Sequence, residues 1–123
     1  MRELALVVAI ALGLLGLGVL AQLPFDAALH WGALLTAGGL ALGVPTGIAY
    51  HVQLARVLSR RGALPAGWYW SPIALHPRLR PAERPGVLLW CGAGAVGFAV
   101  TALGLAVMGV PTLLLLVQLS RGA

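Results

Sequence analysis

Apolar residues run along this chain in three long blocks, and the polar positions crowd between the second and the third. The first block, residues 4–21, is uninterrupted; Arg2 and Glu3 precede it, and Gln22, Pro24 and Asp26 follow. The second covers residues 27–58 and the third residues 86–119, each interrupted once, by Pro45 and by Pro111. Runs of this length and apolarity predict membrane-spanning helices, since a helix needs about 20 apolar residues to cross a hydrocarbon core of ~30 Å. At ~1.5 Å per residue the second and third blocks reach roughly 50 Å, so they are expected to tilt, to kink at their prolines, or to extend into the interfaces. The first block also fits a cleavable leader, because Val19-Leu20-Ala21 follows the small-residue rule; the expectation is a retained helix.

Within the second block the polar and tiny residues fall on a three-four spacing. Gly32, Thr36, Gly39, Gly43, Thr46, Tyr50 and Gln53 make one stripe along a helix. The third block has the same device in Gly94, Gly97, Thr101, Gly104 and Met108, with Gln118 on the same progression, while Leu, Val, Ile and Ala fill the remaining faces. Gly39, Gly43 and Gly47 form a doubled small-xxx-small motif, which removes Cβ atoms so that helix backbones approach closely. Ala5, Ala9 and Gly13 make a thinner version in the first block.

These two blocks also resemble each other. Thr36-Ala37-x-Gly39-Leu40-Ala41, Gly43-Val44-Pro45-Thr46 and Val52-Gln53-Leu54-x-Arg56 recur in order as Thr101-Ala102-x-Gly104-Leu105-Ala106, Gly109-Val110-Pro111-Thr112 and Val117-Gln118-Leu119-x-Arg121. Two readings stay open: a duplication, which opposite helix directions would make an inverted repeat of the transporter kind, or convergence on small residues facing similar neighbours.

Charge orients the chain. Six of the eight basic residues, all arginines, are Arg56, Arg60, Arg61, Arg78, Arg80 and Arg84, within or beside the connection 59–85, whereas the connection between the first two blocks holds only an acid. The positive-inside rule then places residues 59–85 in the cytoplasm, the N-terminus inside and the C-terminus outside, in what reads as a bacterial inner membrane. The connection carries five prolines, which exclude a long helix there. Trp68, Tyr69 and Trp70, with Trp90 beyond them, read as an aromatic belt at headgroup depth, and Arg78, Arg80 and Arg84 as contacts for lipid phosphates or an acidic partner.

Composition narrows the chemistry. The chain is 60% hydrophobic and 9% charged, against roughly 25% charged in soluble domains, so its formal charge of +5 is membrane-orienting and not a nucleic-acid signal. The three acids, Glu3, Asp26 and Glu83, lie at or beyond the ends of the apolar blocks, which leaves no mid-membrane carboxylate for ion or proton coupling. No phosphate-binding loop, nucleophile triad, zincin motif or carboxylate pair is present, and the expectation is a non-enzyme. His51 and His76 are the candidate ligands for a b-type haem; His30 is too far along the same helix to share an iron with His51.

The sequence therefore predicts an all-α integral membrane protein of one domain. Its leading functional expectation is a small non-catalytic subunit, without cofactor, packing its helices against the bilayer and against other subunits or copies of itself. The alternatives are a homo-oligomeric channel or transporter built on inverted-repeat helices, with Thr36, Gly39, Gly43, Thr46, Gly47, Tyr50, Gln53, Gly97, Thr101 and Gly104 lining its path, and a haem b-binding membrane anchor.

Overall fold

A computed structural model describes residues 1–123 and is helical throughout, with no strand. Helix α1 spans Arg2–Ala21, α2 spans Phe25–Ser59 and α3 spans Arg84–Gly122; two short 3₁₀ segments, Trp68–Trp70 and Pro72–Arg78, lie between α2 and α3. All three α-helices are long and apolar enough to cross a membrane. The 20 residues of α1 give a rod of ~30 Å, the thickness of a hydrocarbon core, whereas the 35 of α2 and the 39 of α3 give rods of about 50 Å and nearly 60 Å.

The helices outrun the sequence-derived limits by one to three residues at most ends, and neither proline breaks its helix. Pro45 lies inside α2 and Pro111 inside α3, with helical structure continuous on both sides. Proline lacks the N–H that would bond the carbonyl four residues back, so the carbonyls of Ala41 and Val107 lose their usual donors. The adjoining threonines do not supply that bond. Thr46 Oγ1 donates to Leu42 O at 2.6 Å and Thr112 Oγ1 to Met108 O at 2.7 Å, in each case one carbonyl further along.

The chain divides into two compact units, residues 1–37 with 101–123, and residues 38–100. In the first unit, α1 turns into α2 through a tight connection: Gln22 N–H bonds Val19 O, Leu23 N–H bonds Leu20 O, and the Gln22 side chain donates to Gly18 O. No residue of α1 is buried. The start of α2 and the later part of α3 run antiparallel in contact. A Cβ on Gly104 would lie 2.5 Å from Thr36 N and Oγ1 and 2.8 Å from Gly32 O, and one on Gly32 would strike the Met108 side chain.

In the second unit the two helices again run antiparallel at backbone contact. A Cβ on Gly97 would collide with the backbone of Gly43 and come within 2.9 Å of Gly39 O; one on Gly94 would touch Gly47 at 3.6 Å. Toward the connection between α2 and α3, the strap of residues 60–83, Gly86 comes to 4.0 Å from Gln53 Nε2 by the same measure. There the helix ends enclose a small core of Tyr50, Leu54, Leu58, Leu75, Leu79 and Val87, against which Ala63, Leu64, Trp68 and Cys91 pack.

Candidate functional site

The strap between α2 and α3 is shaped by one glycine and fastened by arginines. Gly62 ends α2 at φ +62°, in the left-handed region; its N–H bonds Ser59 O, and Ala63 N–H reaches back to Leu58 O. This is the Schellman closure, which needs a residue without a Cβ penalty at that position. It turns the chain so that Ala63 lies on the core beside Leu58.

Arg61 then holds the far end of the strap. Its Nη2 donates to Glu83 Oε2 at 2.8 Å and to Arg78 O at 3.0 Å, while the Arg80 backbone N–H donates to the same Glu83 oxygen at 2.9 Å. Arg78 Nη1 donates to Ala63 O at 3.2 Å and Arg84 Nε to Leu79 O at 3.3 Å. Of the three arginines expected to face lipid phosphate or a partner, Arg78 and Arg84 thus bind the strap's own carbonyls. The side chains of Arg56, Arg60 and Arg80 remain exposed.

Under the strap, the Tyr50 hydroxyl lies 2.6 Å from His76 Nε2. A phenol hydroxyl can donate to or accept from that nitrogen according to the His76 tautomer, and either way a buried tyrosine on α2 pins the middle of the strap. Cys91 of α3 sits beside the same hydroxyl. His51, the next residue, uses Nδ1 to donate to Gly47 O at 2.8 Å and stacks edgewise on Tyr50 and at a tilt on Trp68. Of the two histidines considered as iron ligands, His51 therefore keeps Nε2 open while His76 Nε2 is engaged by Tyr50.

The remaining candidate residues divide by environment. Gly39, Gly97 and Gly104 are buried, and Gly43, Thr46, Gly47, Gln53 and Thr101 are half-buried. The hydroxyls of Thr36 and Thr46 are spent on carbonyls one turn back, Gly32 and Leu42. Trp68 packs on the core, whereas Tyr69 and Trp70 project outward, Trp70 at 81% exposure. Trp90 is exposed at the start of α3 and lines a groove of about 440 Å³ with Cys91, His51 and Phe98. A second open groove of about 580 Å³ runs along α2 past Gly43, Gly47 and His51 to Arg56, closed at that end by Trp68.

Three features went unread in the sequence: the Gly62 closure, the Arg61–Glu83 pair and the Tyr50–His76 bond. The first had a local signal, a glycine directly after the arginines that end an apolar helix. The other two join residues 22 and 26 positions apart and left no local pattern.

No protein-family model, curated protein or solved structure matches the chain. The fold itself defines a class: an all-helical chain whose three long helices are apolar enough to cross a membrane, the make-up of a multi-pass membrane protein.

Proposed function

We propose that the chain is a small non-catalytic subunit of a larger membrane assembly, and that α1 is the helix it offers to its partners. The observation that carries this reading is the state of α1. None of its residues is buried, and a Cβ on Gly13, Gly16 or Gly18 would meet nothing within 4 Å. Glycine weakens a helix by roughly 1 kcal/mol relative to alanine, and close backbone approach is what repays that loss in lipid. In α2 and α3 the glycines at 32, 43, 97 and 104 meet a neighbouring helix; in α1 the same residue type stands without one.

The strap reads as the cytoplasmic face, with the N-terminus inside and the C-terminus outside. Six arginines against one acid lie in residues 56–84, and the core under the strap supports a position outside the hydrocarbon. Burying Leu54, Leu58, Leu75 and Leu79 gains free energy against water but little against lipid tails, which are as apolar as leucine. The ends of α2 and α3 therefore extend beyond the bilayer to carry the strap, which accounts for their excess length. The tryptophans and exposed arginines then stand at headgroup depth.

The test is the mass of the native particle after mild extraction. Gly43 and Gly97 are unsuitable positions, because they hold this chain's own helices together. Replacing Gly13 and Gly16 with leucine leaves the chain's internal packing alone and should shed partner subunits, lowering the particle mass. A particle of unchanged mass and composition would remove α1 from the interface and defeat the reading.

A further inference from the structure

The 580 Å³ groove on α2 has the size of an ordinary ligand pocket, roughly 300–1,000 Å³, yet it is open on its outer side and differs sharply between its two ends. Along most of its length it is apolar, walled by Val44, Ile48 and Val52, and deepened where Gly43 and Gly47 lack side chains. At its strap end it meets Arg56, His51 and the indole of Trp68. Arg56 makes no ion pair, and Arg60, one turn further along, is exposed beside it. The only acid in this unit, Glu83, is already bound by Arg61. An uncompensated cation thus ends an apolar channel whose other end lies toward the middle of a membrane-spanning helix.

We propose that this groove holds one anionic membrane phospholipid, an acyl chain lying along Gly47 and the headgroup phosphate on Arg56. The charge arrangement selects the occupant. A zwitterionic headgroup brings its own cation to a region that already carries unpaired arginines, whereas an anionic one supplies the missing counter-charge. Trp68 closes the groove where an indole is at home, between apolar tails and polar headgroups. The site belongs to this chain alone and does not depend on the subunit reading above.

The experiment is native mass spectrometry of the chain extracted in mild detergent and supplied with phosphatidylglycerol, with phosphatidylcholine of the same acyl chains, or with inorganic phosphate. The expected result is one retained phosphatidylglycerol per chain, with phosphatidylcholine and phosphate retained far less. Arg56→Gln should weaken that retention about fivefold, the weight of one basic residue near an anionic headgroup. Arg121→Gln, which removes the same charge in the last turn of α3, away from the groove, should leave it unchanged. Gly47→Leu puts a side chain into the groove at a position where a Cβ meets nothing within 4 Å; it should lower retention as well. Equal retention of the two lipids, or equal effects of Arg56→Gln and Arg121→Gln, would overturn the proposal. So would retention unchanged in Gly47→Leu while a protein partner is lost, which would give the groove to a helix. A Soret band in the purified chain that disappears in His51→Ala would assign it to haem and overturn it likewise.

Discussion

At Gly97 a methyl group would fall on the backbone of Gly43, whereas at Gly47 or Gly38 it would meet nothing within 4 Å. Substitution at these positions therefore has opposite signs. Gly97→Val should destabilise the chain by about 1–3 kcal/mol, since backbone atoms cannot yield as a flexible side chain does. Gly38→Ala should be neutral or add up to about 1 kcal/mol through helix propensity. Thermal unfolding in mild detergent, followed by circular dichroism, separates the two, and a stable Gly97→Val protein would contradict the close approach. The Tyr50 hydroxyl is a second residue-scale case. Tyr50→Phe keeps the ring in the core and removes the hydroxyl, with its 2.6 Å bond to His76 and its contact with Cys91, a loss of about 1 kcal/mol. A double-mutant cycle with His76→Ala isolates that term; a coupling near zero would mean that the contact holds nothing.

Among the elements, the strap depends most on single polar contacts. Glu83 accepts from both Arg61 and the Arg80 N–H, and its side chain is 22% exposed, so water screens the pair only in part. Glu83→Gln should release the strap by about 1 kcal/mol without disturbing α2 or α3. Hydrogen exchange should show faster exchange at Arg80, Leu79 and Ala63, with the glycine-packed stretches of the helices unchanged; uniform protection would show that the apolar core alone holds the strap. Gly62→Ala tests the same element from its other end. At φ +62° an alanine is strained, and the Schellman closure should weaken by about 1 kcal/mol.

For the molecule as a whole, the prediction concerns sidedness. With Cys91 replaced by alanine, a cysteine at Ser71 should react with a membrane-impermeant maleimide only from the cytoplasmic side, and one at Ala123 only from the opposite side. Labelling of Ser71→Cys from outside would reverse the orientation derived from the arginines. The helices themselves were legible because hydrophobic length is a property of consecutive residues and the hydrocarbon thickness is the same for every chain. Their excess length was legible too, as a count of residues. Its use was not, because the core under the strap joins Leu54 and Leu58 to Leu75, Leu79 and Val87 across a proline-rich connection whose path no local rule predicts.

Sequence alone determined that there are three helices, that Gly32, Gly43, Gly97 and Gly104 stand on helix stripes, and that cations gather around residues 56–84; each follows from spacing or from local composition. The tertiary structure decided how those features are used. It closed the helices over Pro45 and Pro111, because hydrogen bonds on either side of a proline can persist when its own N–H is missing. It set Gly32, Gly43, Gly97 and Gly104 against a facing helix and left Gly38 and the glycines of α1 without a neighbour, a distinction that depends on which surfaces meet and not on residue type. It also bound Arg61, Arg78 and Arg84 into the strap while leaving Arg56 unpaired beside an apolar groove, since a guanidinium bonds whichever acceptors the fold brings within reach.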